Sequence, residues 1–373
     1  MFRHIIPISE RLVRAVIMAG GLAAVSFVEA RVTEPTAIFG CVYTTIQGSG
    51  VNGGVTYLGP SLVEKPLQEV RLEAGPPWPN QMKGVGVAWA PRAFDVHPEE
   101  NSHYIEIKSS LNAEVVGLMS DIVSHTSNTL TIADDLSGVL RGGEVVVIRA
   151  HKTLEGIFGA ANQAGLGGGD AGTADLISIL TEGPNASFRS YYYRSGIRLG
   201  GAGWRSSSNP FVDQGKTPLK TGQGLLIKRK RLKPVVLRLS GYVKTGVWRR
   251  SLPGGYALID PLAPLTDQTQ STPVSGPAFT LGGTGTGAIS SGLGAALTPG
   301  TPQTADLVSL AGTMASFYVA TAGGLSSGGW RQTSNPMVDK KLTVIPPATS
   351  ILIQNRGQDK SWSRPQPFTI GSR

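Results

Sequence analysis

The feature that most constrains this chain is that it repeats itself. Thr173-Ala174-Asp175-Leu176-Ile177-Ser178 returns as Thr304-Ala305-Asp306-Leu307-Val308-Ser309, and Ala186-Ser187-Phe188 returns as Ala315-Ser316-Phe317. Gly203-Trp204-Arg205, followed by Ser208-Asn209-Pro210 and Val212-Asp213, returns as Gly329-Trp330-Arg331, Ser334-Asn335-Pro336 and Val338-Asp339. The offset is 131 residues at the first block and 126 at the third, so a short deletion lies between them. Weaker matches extend outward. Gly40-Cys41-Val42 corresponds to Gly241-Tyr242-Val243, Gly156 to Ala160 corresponds to Ser291 to Ala295, and Leu225 to Arg229 corresponds to Ile351 to Asn355. Ordered self-similarity of this kind implies one supersecondary unit used twice. The chain is accordingly divided into a first half, residues 31–232, and a second half, residues 233–373.

The runs inside each unit are short and β-type. Leu176 to Leu180, Ser187 to Tyr193, Gly203 to Ser206 and Gly224 to Lys228 are separated by Gly, Ser, Asn and Pro, which break regular structure. Composition agrees, since 49 Gly and 25 Pro make up about a fifth of the 373 residues. Only Thr153 to Phe158 reads as a helical turn, with Thr153 as its cap. The first half is longer by an insertion at about residues 63–150. It opens on the proline-rich Ala74 to Pro79 and continues through Tyr104 to Lys108, Asp121 to His125, Thr129 to Ile132 and Glu144 to Ile148, the pattern of an antiparallel β-meander. The expected fold is all-β, with two related β-sandwich or partly open barrel-like halves, the first carrying the inserted meander, and very little helix.

The amino terminus reads as an export signal. Arg3, Arg11 and Arg14 precede an apolar run of about 14 residues, Ala15 to Val28, which ends at Val28-Glu29-Ala30. A membrane span needs about 20 apolar residues, so cleavage near Ala30 is the expectation, with no transmembrane segment in the mature chain. The net charge of +9 becomes +8 without residues 1–30. A basic exported protein attracts acidic polymers without reading a sequence, so the expected partners are acidic envelope polysaccharide or other envelope proteins, and no specific nucleic acid. The densest basic run, Lys228 to Arg231 with Lys233, reads as the solvated end of a strand. The single cysteine, Cys41, permits no internal disulfide and is expected to be buried on the first strand.

These blocks, together with Ser127 to Ile132 and Thr153 to Gly159, resemble a paralogous family of exported verrucomicrobial proteins. Members carry a signal peptide, a Gly-Phe-Val-like opening strand, and Ala-Asp and Gly-Trp-Arg blocks. The similarity runs from about Ala37 to the end; this chain departs at Cys41, where the opening strand more often carries Phe or Tyr, and in its proline-rich stretch. The family has no established activity, so the resemblance implies export and β-repeat structure alone.

For ligand binding, strand alternation assigns Phe188, Ser190 and Tyr192 to one face and Arg189, Tyr191 and Tyr193 to the other. Because Phe188 is matched by Phe317, its face is expected to be buried, which leaves Arg189, Tyr191 and Tyr193 to offer an aromatic and basic surface suited to a glycan. Trp204 and Trp330 are expected in the core, each of Arg205 and Arg331 in a partly buried ion pair with a matched acid among Asp175, Asp213, Asp306 and Asp339, and Asn209 and Asn335 at turns. Asp95, His97, Glu99, Glu100 and His103 follow no metal-ligand spacing, so no metal site is expected. Asp121, Ser124 and His125 lie on one strand without a nucleophile elbow and make a poor triad. Gly167 to Gly169 and Gly282-Gly283 lack the Lys-Ser/Thr of a phosphate loop, and no cofactor is expected. The expected function is that of a non-enzymatic structural or adhesive protein of the cell envelope or extracellular matrix, in the periplasm, at the cell surface or outside the cell. The alternatives are a glycan-binding module and a polysaccharide-active hydrolase or lyase.

Overall fold

The computed structural model describes residues 38–73, 79–94, 101–196, 201–262, 280–281, 296–310, 315–323 and 326–364. The expected signal segment, most of the proline-rich stretch, residues 95–100 of the acid and histidine cluster, and Gly282-Gly283 lie outside them. Within residues 37–373, which form one compact unit, the architecture is all-β. The first half builds a five-stranded antiparallel sheet in the spatial order Gly203–Ser206, Ser187–Arg194, Leu176–Thr181, Leu225–Lys228, Val55–Leu58. The second half builds Ser326–Gln332, Ala315–Gly323, Leu307–Leu310, Ile351–Asn355, Gly255–Ile259, the same order with the same pairings. Each sheet has its own core, around Ile177, Ile227 and Trp204 in one and Val308, Ile353 and Trp330 in the other. The expected helical turn is present as Leu154–Phe158, capped by Thr153, whose Oγ1 accepts from Gly156 N–H at 3.1 Å.

The two sheets meet at a seam where four backbone hydrogen bonds and two bridges have counterparts. Leu225 pairs with Leu58 and Ile351 with Ile259, so Leu58 corresponds to Ile259 and Gly59 to Asp260. Across the seam, Gly59 N–H donates to Ala348 O at 2.9 Å while Asp260 N–H donates to Gly222 O at 2.9 Å. Likewise Gly224 N–H donates to Leu258 O at 2.8 Å, and Ser350 N–H to Tyr57 O at 3.4 Å. The bridges Leu58 to Thr349 and Gln223 to Ile259 exchange in the same way. Gly40 lies directly opposite Gly241 where Phe39–Ile46 pairs antiparallel with Val235–Tyr242. Such reciprocity is the signature of an isologous, two-fold contact, here within one chain.

Backbone geometry at the seam follows the same rule. Ser61 and Leu262 occupy corresponding positions with φ of 55° and 51°, and Gly222 corresponds to Ala348, at 81° and 55°. Position 222 must be glycine, because a Cβ there would sit 2.2 Å from the Trp248 ring. Cys41 corrects an expectation. It is exposed, because in its strand Val42 and Ile46 share the more buried face while Phe39, Cys41 and Tyr43 face outward.

Matched acids pin each sheet to its loops. Asp175 accepts from Gly167 N–H at 2.6 Å and Lys230 N–H at 2.7 Å, and Asp306 accepts from Thr298 N–H at 2.7 Å and Arg356 N–H at 2.8 Å. The expected arginine pairs are Arg205 with Asp213 at 3.1 Å and Arg331 with Asp339 at 3.6 Å. Both guanidinium groups are buried, yet both aspartates reach solvent, where screening weakens an ion pair. Each arginine also donates to its tryptophan's own carbonyl, Trp204 O at 3.0 Å and Trp330 O at 3.1 Å.

The insertion departs from a simple meander. Only His103–Ser109, Met119–His125 and Thr129–Ile132 follow one another in space; Val145–Ala150 and Pro66–Arg71 flank them on one side and Gln81–Lys83 on the other. The two edges then meet, with Glu73 N–H donating to Lys83 O and Val85 N–H to Arg71 O, both at 2.8 Å. The result is a small six-stranded barrel with its own core, filled by alternating inward residues such as Ile105, Ile107, Leu130, Ile132, Val146 and Ile148. It is tied to the second half by Lys244, buried, whose Nζ lies 2.6 Å from Glu106 Oε1 and donates to Thr245 O at 2.6 Å and Val247 O at 3.0 Å. Burial pulls the Lys244 pKa down, and the charge of Glu106 opposes that pull.

Asp260 is the charged residue of the seam. Its corresponding residue is Gly59, where a Cβ would lie 2.7 Å from Asp260 Oδ1, so only one of the two positions can carry a side chain. Asp260 accepts from Leu262 N–H at 2.9 Å and from Ser61 N–H and Oγ. Burial pushes its pKa up to about 6, against the lowering pull of these donors and of the Arg364 charge. Because the folded value exceeds the unfolded one, the folded state holds the proton longer, and stability falls as pH rises from about 4 through 6. A shift of about two units is worth about 3 kcal/mol. Chemical denaturation at pH 4 and pH 7 should show wild type losing about that much relative to Asp260→Asn; a pH response equal in both proteins would refute the assignment.

Candidate functional site

A cleft of about 760 Å³ opens where the inserted barrel, the first half and the second half converge. The barrel contributes Asp121 from Met119–His125, with Asp134 and Asp135 just past Thr129–Ile132. The first half contributes His151, Glu182, Lys220 and Thr221, and the second half Trp248, Arg250, Asp359 and Lys360. At its centre His151 Nε2 lies 3.1 Å from Asp121 Oδ1, and Lys220 Nζ lies 2.6 Å from Asp121 Oδ2. His151 Nδ1 accepts from Thr221 N–H at 3.1 Å, so the Nε2 nitrogen carries the proton and donates it to Asp121. The imidazole stacks on Tyr104, ring centroids 4.7 Å apart and planes within 22°. Burial raises the Tyr104 hydroxyl pKa, and the Glu106 charge adds to it.

Burial alone would raise Asp121, but the hydrogen bond and charge of His151 together with Lys220 bring it down to about 2. It is therefore a carboxylate at any physiological pH. The other acids along the wall are also engaged. Glu182 pairs with Arg250, Asp134 accepts from Ser120 Oγ at 2.6 Å, Asp135 accepts from Ser137 Oγ at 2.7 Å, and Asp359 accepts from Gly254 N–H at 2.9 Å. Five carboxylates and three cations line the cleft, so its wall is more acidic than the basic chain as a whole. Among the described residues no group of three or more His, Cys, Asp or Glu could hold a metal ion.

The expected aromatic surface of Arg189, Tyr191 and Tyr193 is not formed. Tyr191 is 3% exposed and belongs to the first-half core, Tyr193 packs edge-on against Trp204 with centroids 5.4 Å apart, and Phe188, expected inside, is 49% exposed. Register supplies the reason. Ile177 pairs with Tyr191 and the matching Val308 with Phe317, while Ser178 Oγ meets Ser190 Oγ and Ser309 Oγ meets Ser316 Oγ, both at 2.8 Å. Phe317 thus corresponds to Tyr191 and not to Phe188. The sequence match was slipped by three residues, and an odd slip exchanges the two faces of a strand.

Other assignments stand closer to expectation. Trp204 is buried against Phe158 and donates from Nε1 to Gly159 O at 2.9 Å, and Trp330 is buried in the second core. Asn209 and Asn335 lie in the turns after their arginine-bearing strands. In the basic run, Lys228 and Arg231 are exposed but Arg229 is buried beside Asp175, 3.5 Å away. Asp121 and His125 do not meet; the His125 ring lies against Phe94 instead, centroids 4.9 Å apart. The cleft's central trio was missed because Asp121, His151 and Lys220 stand far apart in sequence, with no spacing signal to link them. Comparison of the chain with protein-family models, with curated proteins and with solved structures gave no match.

Because Tyr191 fills the core, Tyr191→Ala should lower unfolding stability by about 3–5 kcal/mol, as large-to-small aromatic deletions do, whereas Phe188→Ala should change it by less than about 1 kcal/mol. Equal effects in urea titrations would contradict the register.

Proposed function

We propose that this chain is an exported, non-enzymatic structural or adhesive component of the cell envelope or extracellular matrix, acting in the periplasm, at the cell surface or outside the cell. In this reading the halves are two copies of one ancestral unit, as in the verrucomicrobial family that the sequence resembles. The observation that carries the reading is the state of the cleft's acids: each is engaged by a cation or a hydrogen-bond donor. A glycosidase needs one carboxyl raised enough to give up a proton near neutral pH, and Asp121, at about 2, is poised the opposite way.

Glycan recognition is the second reading, and the same wall favours it in one form. Alternating acceptors and donors, Asp121 beside Lys220 and Glu182 beside Arg250, suit the hydroxyls of a neutral sugar. An acidic polymer entering here would meet more carboxylates than cations, so its contacts are assigned to the exposed basic side chains outside the cleft. The test is retention on insoluble neutral and acidic polysaccharides at low and high salt, with reducing ends and unsaturated products assayed in the supernatant. The expected result is salt-sensitive retention on the acidic polymer, salt-resistant retention on the neutral one that Lys220→Glu weakens, and no product. Product released by wild type and lost in Asp121→Asn would establish a hydrolase or lyase instead.

A further inference from the structure

The Asn-Pro turns that recur in both halves do more than end a strand. In residues 207–216 the backbone is fixed by Gln214 N–H donating to Trp204 O at 2.9 Å and Gly215 N–H to Asp213 Oδ1 at 3.3 Å. In residues 333–342 the corresponding bonds are Lys340 N–H to Trp330 O at 2.9 Å and Lys341 N–H to Asp339 Oδ1 at 3.0 Å. Each loop is braced by its buried arginine, Arg205 or Arg331. These braced loops then hold apolar side chains out in water. Phe211 is 67% exposed and the corresponding Met337 is 75% exposed, each followed by an exposed valine, Val212 or Val338, and the second loop adds exposed Leu342. Single exposed apolar residues are ordinary, but the same pair exposed at the same position of two rigid loops is not accounted for by packing.

We propose that these two loops are docking tips for an anionic lipid surface. Two observations select that occupant. Phe211 and Met337 differ in shape and share only apolarity, which a fluid acyl boundary accepts and a shaped protein pocket does not. Charge is the second. On the second loop Arg331, Lys340 and Lys341 outnumber Asp339, which lies 3.6 Å from Arg331 and 3.8 Å from Lys341, whereas on the first loop Arg205 is paired with Asp213 and Lys216 with Glu155, so the second tip carries the basic excess in a chain of net charge +9. Basic side chains beside apolar tips are drawn to anionic headgroups, and salt screens that attraction. The cleft plays no part in this contact, so the two assignments stand or fall separately.

The experiment is co-sedimentation of residues 31–373, which contain the whole compact unit, with vesicles of phosphatidylglycerol and phosphatidylcholine or of phosphatidylcholine alone. Wild type should partition onto the anionic vesicles and be released by salt. F211D/M337D should bind at least about tenfold more weakly, and K340E/K341E should lose the salt-sensitive part. F211S/M337S, with circular dichroism as the check on folding, gives the same reading should the charged variant unfold. Binding no stronger to anionic than to neutral vesicles, or unchanged in both double variants, would overturn the proposal. So would loss of self-association in F211D/M337D without any vesicle effect, which would make the occupant a second copy of the chain.

Discussion

The two five-stranded sheets are set against each other by a reciprocal seam. Four of the backbone hydrogen bonds that cross it form two exchanged pairs, and the glycines Gly40 and Gly241 face each other on the ribbon beside it. A contact of this kind is self-complementary, so a favourable interaction on one side is repeated on the other and an unfavourable one is also doubled. That is why the Asp260 carboxylate is opposed by a glycine, Gly59. An aspartate at both positions would place two buried carboxyls in contact, which a low-dielectric interior does not tolerate. Gly59 facing Asp260 shows how two halves within one chain can differ where a strict two-fold could not.

The inserted barrel breaks the symmetry in a productive way. It grows from the first half yet is fastened to the second by Lys244 and Glu106, both deeply buried. Removing one member of such a pair leaves an unpaired buried charge, at a cost of about 3–5 kcal/mol, so the barrel is fixed in place. The large cleft is the space left between these three bodies. Its central trio combines one residue of the barrel with two of the first half, and Arg250 of the second half closes the wall against Glu182. No single unit contains the site.

Much of the fold was legible in the sequence. Local signals sufficed for the all-β class, for the capped turn at Thr153, and for the strands at Tyr104, Asp121, Thr129 and Val145. The Asp175 and Asp306 blocks are alike in sequence and in role, each acid accepting from two backbone donors at corresponding positions. What failed was register: the hairpin after Leu180 is longer than its counterpart, and a Ser-Phe coincidence placed Phe188 where Tyr191 belongs. Cys41 was misjudged because an alternating edge ribbon with one face outward resembles a buried strand over a few residues. The barrel's closure and the cleft could not be read at all, since both depend on contacts between segments tens of residues apart.

Amide hydrogen exchange of Gly59, Gly224, Asp260 and Ser350 tests the seam most directly. These four donors cross between the halves, and if the seam is the common foundation they should exchange only by global unfolding, as slowly as amides in the Ile177 and Val308 strands. Exchange of all four at rates typical of surface loops, with the two sheet cores still protected, would show halves that are merely tethered, and the account of a shared two-fold foundation would be wrong.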